Sequence, residues 1–144
     1  MKYSFSPKLV ALALAVGLLS FTAASQAASP KQQTPKIVLN TGAVEGIKHE
    51  LDDGGVGLLG GQNLIVNCTY KYENHIVTEK LLATYLGYTF MSYEGLPGGN
   101  VYNDCLYMGR EACSFLTHVI GIPQPLNVTF TGSVINTTKE CNTF

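Results

Sequence analysis

The sequence predicts a mainly β fold: a small antiparallel β-sandwich or barrel-like domain with one or two short helices and two disulfides. Three observations lead there. Polar and apolar residues alternate through several short runs, most clearly Asn63 to Tyr72 and Leu126 to Asn136. That is the period of a strand with one buried face. Breaks rich in Gly, Asn and Asp separate the runs, as tight turns require. Four cysteines, Cys68, Cys105, Cys113 and Cys141, provide an even count for pairing. Trp is absent, so the buried-Trp pattern of an antibody-type domain is not supported.

Met1 to Ala27 reads as a secretory signal peptide. Lys2 and Lys8 supply the positive start, and Leu9 to Phe21 supplies an apolar run made mostly of Leu, Ala and Val. Ser25-Gln26-Ala27 supplies the small-x-small cleavage pattern. The apolar run is shorter than the roughly 20 residues that a spanning helix needs. The expected location is periplasmic or extracellular, with no transmembrane segment in the mature chain. Ala28 to Pro35 is polar, contains two prolines and is expected to form a flexible tail. Residues 36–144 are expected to form a single β-rich domain. The whole chain has 9 basic and 10 acidic side chains. Without Lys2 and Lys8 the balance is seven to ten, a net charge of −3. Such a chain lacks the basic field on which nucleic-acid binding relies. Its apolar content of 46% with 13% charged residues is too high for intrinsic disorder.

Along the domain, Ile37, Val38 and Leu39 form a short strand candidate. Ile47, His49 and Leu51 alternate with Lys48 and Glu50 and read as a half-buried strand, ended by the turn signal Asp52-Asp53-Gly54-Gly55. In Asn63 to Tyr72, Leu64, Val66, Cys68, Tyr70 and Tyr72 share a face. Glu73-Asn74 reads as a turn leading to a partner strand at His75 to Thr78. Thr78 to Gly87 fits a helix started by Thr78 or an extension of that strand. Arg110 to Gly121 places Ala112, Phe115, Leu116 and Val119 at helical spacing, and helix is its better fit. In Leu126 to Asn136, Leu126, Val128, Phe130 and Val134 share a face.

Export places the cysteines in an oxidising compartment. The expected pairs are Cys105–Cys113, as a local loop, and Cys68–Cys141, as the long closure. Their spacings match no zinc module, so no metal is assigned.

Motifs that carry chemistry are few. Gly55-Val56-Gly57-Leu58-Leu59-Gly60 matches G-x-G-x-x-G, but an alternating strand follows where a nucleotide site needs a helix. It is read as a glycine-rich loop, and no cofactor is expected. His49, His75 and His118 are scattered and form no H-x-H or H-E-x-x-H pattern. Asp104, Ser114 and His118 lie near one another in sequence, and on a helix Ser114 and His118 would share a face. No G-x-S-x-G elbow accompanies them, so no catalytic residue is assigned and an enzyme is the less favoured class. Asn67, Asn127 and Asn136 each open an N-x-T sequon, a glycan acceptor only in a eukaryotic secretory protein. Phe130 to Asn136, with Cys141 beyond, resembles the first strand of chaperone–usher pilin subunits. There the motif follows the signal peptide, whereas here it lies at the other end of the chain, so no family is assigned from it.

Tyrosine is the more informative residue. Tyr93 to Asp104 (YEGLPGGNVYND) combines Tyr with Gly and Asn, the composition of adaptable binding loops. Tyr93, Asn100, Tyr102, Asn103 and Asp104 are the candidate binding residues. The expected function is that of an exported, disulfide-stabilised binding protein whose partner is a protein, a small molecule or a glycan. The alternatives are a subunit of a surface or extracellular assembly, and a small secreted hydrolase or enzyme inhibitor.

Overall fold

The computed structural model describes residues 36–54 and 63–144. The leader, the tail before Lys36 and the G-x-G-x-x-G string lie outside the described residues. The chain runs β1 (Val38–Leu39), α1 (Thr41–Asp52), β2 (Leu64–Glu73), β3 (Ile76–Tyr85), β4 (Tyr88–Gly95), α2 (Val101–Phe115), β5 (Asn127–Gly132) and β6 (Thr137–Glu140). A π-helical turn, Leu116–Ile120, extends α2. A 3-10 turn, Cys141–Thr143, follows β6. The mainly β class, the accompanying helices and the presence of two disulfides are as expected. The strands form one open six-stranded sheet in the order β1-β4-β3-β2-β5-β6, not a closed barrel. All neighbours are antiparallel except β2 and β5, which run parallel. A parallel neighbour needs a long crossover, and the path through β3, β4 and α2 supplies it.

Both helices pack on one face of the sheet. Leu64, Val66 and Cys68 of β2, Leu81, Ala83 and Tyr85 of β3, and Val128 and Phe130 of β5 point into that layer and are buried. Cys105, Met108, Ala112 and Leu116 meet them from above. The helix comes unusually close at Gly109, where a Cβ would lie 2.6 Å from Phe130 Cε1. α1 settles on β4 in the same way, with a Cβ at Gly46 reaching 2.8 Å from the Tyr88 ring. A bulge opposite Ala83 and Thr84 skips Phe90 in the pairing. Phe90 and Met91 are therefore both buried, and Phe90 stacks on Phe115. The opposite sheet face carries Asn67, Thr69, Lys80, Thr84, Ser92 and Thr129, and no described helix covers it.

Three local expectations are corrected. Ile47, His49 and Leu51 belong to a helix. Ile47 and Leu51 are four apart as well as on one strand parity, so both periods fit them. Ala43, Val44 and Ile47 supply the buried helical stripe, and Asn40 caps it by accepting from the Ala43 N–H. The strand from Leu126 ends at Gly132, the chain bends, and Val134 is left exposed. A Cβ at Gly132 would overlap the Cys68 carbonyl, so only glycine allows this approach. The stretch Tyr93 to Asp104 is not a long loop. β4 reaches Gly95 and α2 starts at Val101, leaving only Leu96 to Asn100 between them.

The disulfide pairing is corrected too. The bonds are Cys68–Cys105 and Cys113–Cys141. Cys105 and Cys113 lie on one helix, and eight residues of α-helix rise about 12 Å, beyond the roughly 7 Å limit for bridged Cα atoms. Cys105 instead faces down onto Cys68, with Cα atoms 5.9 Å apart. Cys113, two turns on, reaches Cys141 just past β6. Thr78 to Tyr85 resolves as strand. Two-residue turns bound it, with positive φ at Asn74 and His75 before and at Leu86 and Gly87 after. Such turns fit the twist of antiparallel hairpins.

Candidate functional site

α2 runs antiparallel to β2, with its start pinned over Cys68 by the disulfide and its middle over Phe130. The β2–β3 hairpin continues past that start. Tyr70 and Tyr72 share the inward parity of Cys68, yet they are 45% and 60% exposed. Val77, the register partner of Tyr72, shares that face and is half-buried. The result is a step, with the hairpin as floor and the first turn of α2 as riser.

The sequence-predicted binding residues fall on or under that riser. The Asn100 side chain accepts from the N–H groups of Tyr102 and Asn103, the ordinary work of a helix cap. Tyr102 and Asn103 are exposed. Tyr93 is buried in β4, and its hydroxyl donates to the Leu96 carbonyl at 2.9 Å, tightening the link into α2. Asp104 is half-buried and turned towards β3.

Opposite Asp104 stands a residue that sequence reasoning missed. Glu79 follows the parity of Leu81, Ala83 and Tyr85 and is only 1% exposed. Neither of its carboxyl oxygens has a hydrogen-bond partner, and Asp104 Oδ2 is likewise buried without one. Burial, followed by the neighbouring Asp104 carboxyl, pushes Glu79 up to about 8. Burial and the two carboxyls together also raise the Tyr93 hydroxyl. The signal was present in the sequence: read as a strand, Thr78 to Tyr85 places Glu79 on its apolar face.

The other catalytic candidates separate. Asp104 is in the first turn of α2 and Ser114 in the last, about 15 Å of helix rise apart. Ser114 and His118 do share a face, and with Arg110, Thr117, Phe144 and the Cys113–Cys141 pair they line a hollow of about 210 Å³. His118 Nδ1 lies 3.0 Å from the Ser114 carbonyl, within reach to donate to it. Among the described residues no Asp or Glu side chain lines the hollow with them. A groove of about 390 Å³ crosses the uncovered sheet face, where Lys80 and Glu94 pair at 3.8 Å. Glu79 enters that lining at a strand position whose side chain points to the other face, so the groove and the buried carboxyl are separate features. Among the described residues no three His, Cys, Asp or Glu side chains converge, and no helix is long and apolar enough to cross a membrane.

Comparison with family models, curated proteins and solved structures finds no match to this chain.

Proposed function

We propose that the protein is an exported binding protein that docks a protein partner on the step formed by the β2–β3 hairpin and the start of α2. The observation that carries this reading is the exposure of Tyr70 and Tyr72 on the helix-facing side of a hairpin that α2 stops short of covering. Tyrosine offers large contact area at little entropic cost, and its hydroxyl keeps the surface soluble when it is unoccupied. Tyr102 and Asn103 extend the surface on the helix side. The Cys68–Cys105 disulfide ties the hairpin to the start of α2, so little ordering cost falls on binding.

Photoreactive phenylalanine placed at Tyr72 in the producing cells tests this. A discrete cross-linked species is expected from Tyr72 and not from Asn142, and it should vanish when Tyr70 is also changed to Ser. The same species from both positions, or none from Tyr72, Tyr70 and Tyr102 alike, rejects the surface.

A second reading, assembly into a surface structure, draws on the sheet edge. Every residue of β6 is exposed and its outer side has no strand neighbour among the described residues, the geometry that strand addition uses. Concentration-dependent polymers on sizing, abolished by Thr138→Pro, would favour it over the first reading.

A further inference from the structure

Two carboxyl groups are enclosed where the first turn of α2 meets β3. Three of their oxygens lack partners: Glu79 Oε1, Glu79 Oε2 and Asp104 Oδ2. An ionised carboxylate kept out of water without a partner is costly, and two facing each other are costlier. Among the described residues, the surroundings do not supply a compensating cation. From β4 the facing group is Tyr93, already donating to Leu96. From β2 the register partner of Glu79 is Tyr70. Lys71 and Lys80 have the opposite strand parity and pair with Glu73 and Glu94. Glu79 is the more deeply enclosed of the two, which makes it the group that keeps a proton.

We propose that Glu79 and Asp104 hold one shared proton as a latch, and that its loss frees the first turn of α2 from the sheet while the Cys68–Cys105 bond keeps the rest of the helix seated. When Glu79 ionises, its proton passes to solvent and two like charges remain enclosed. The least costly relief is to let water in between β3 and the first turn. Only Asn100, Val101, Tyr102, Asn103 and Asp104 need move, because Cys105 is tied to Cys68. The moving turn carries Tyr102 and Asn103, so the latch would reshape one wall of the step at alkaline pH. The latch does not depend on that step binding a partner, and it is tested without one.

Amide hydrogen exchange, corrected for intrinsic rates, reads the latch directly. Between pH 6 and 9, protection at Tyr102, Asn103 and Asp104 is expected to fall by up to about tenfold per pH unit. Protection at Ala112 and Cys113 on the same helix should hold. Glu79→Gln should flatten the dependence, and Asp104→Asn, which leaves Glu79 in place, should reduce its amplitude. Flat protection in the unmodified protein, or the same slope in both variants, overturns the latch. A slope abolished by millimolar calcium chloride and restored by chelator also overturns it, since the carboxyls would then be holding a cation.

Discussion

Gly109 of α2 lies against the ring of Phe130 in β5 with no room for a single added carbon. Helix propensity alone would make Gly109→Ala favourable by about 1 kcal/mol. Here the new methyl group must displace a fully buried ring or lift the helix from the sheet. Overpacking of this kind costs about 1–3 kcal/mol. Gly109→Ala is therefore expected to lower the denaturation midpoint, and Phe130→Leu in the same chain should recover part of the loss. A stabilised Gly109→Ala protein would show that α2 does not sit this close.

The two disulfides should respond differently to reductant. Cys68 and Cys105 are both fully buried, whereas Cys141 is partly exposed beside the hollow containing His118. Limited reduction followed by alkylation is expected to label Cys113 and Cys141 first. The bonds span 37 and 28 residues. Loops of that length predict losses of about 3–4 kcal/mol for removing either pair. A non-reducing peptide map that joins Cys105 to Cys113 would contradict the helix that separates them.

What the sequence made legible follows from which faces are covered. β2 was readable because α2 buries Leu64, Val66 and Cys68 while Ile65, Asn67 and Thr69 stay outside. α1 was not, because a five-residue window from Ile47 to Leu51 satisfies both periods. Only the preceding Ala43, Val44 and the Asn40 cap break the tie. Thr78 to Tyr85 has helix-forming residues, and tertiary pairing to β2 and β4 on both sides decides for strand. That same ambiguity hid Glu79, since a helix would have placed it on a solvated first turn. The candidate binding residues Asn100, Tyr102 and Asn103 do fall together at the start of α2, but as the cap and first turn of a helix. The cysteine pairing was beyond spacing arguments because it depends on α2 starting at Val101, nine residues before Arg110.

His75 occupies a left-handed conformation at the second position of the β2–β3 turn, with φ of 66°. Asn precedes it at φ of 48°, and Asn-Gly is the pair such a turn prefers. His75→Gly is expected to raise stability by about 0.5–1 kcal/mol, less the exposed Tyr72–His75 hydrogen bond it gives up. Thermal denaturation checks this at a pH where the histidine is neutral. An unchanged or lower midpoint would mean the hydrogen bond outweighs the strain.

Glu79 sets the sign of the pH dependence of stability. Its carboxyl titrates near 4.5 when unfolded and is pushed up to about 8 by burial and by Asp104 in the fold. Between those values the folded chain holds a proton that the unfolded chain has released. Unfolding free energy therefore falls as pH rises through this window, by at most about 1.4 kcal/mol per pH unit from this group. The contribution is fully present below the unfolded value and lost above about 8. Glu79→Gln keeps the shape and cannot ionise, so its stability should lack this slope. Urea titrations at pH 5, 7 and 9 are expected to show the variant's advantage over the unmodified protein growing at each step. An advantage that is constant across the three would place the cost in shape and not in charge, and a variant less stable at pH 9 would rule out ionisation of Glu79 as a source of alkaline instability.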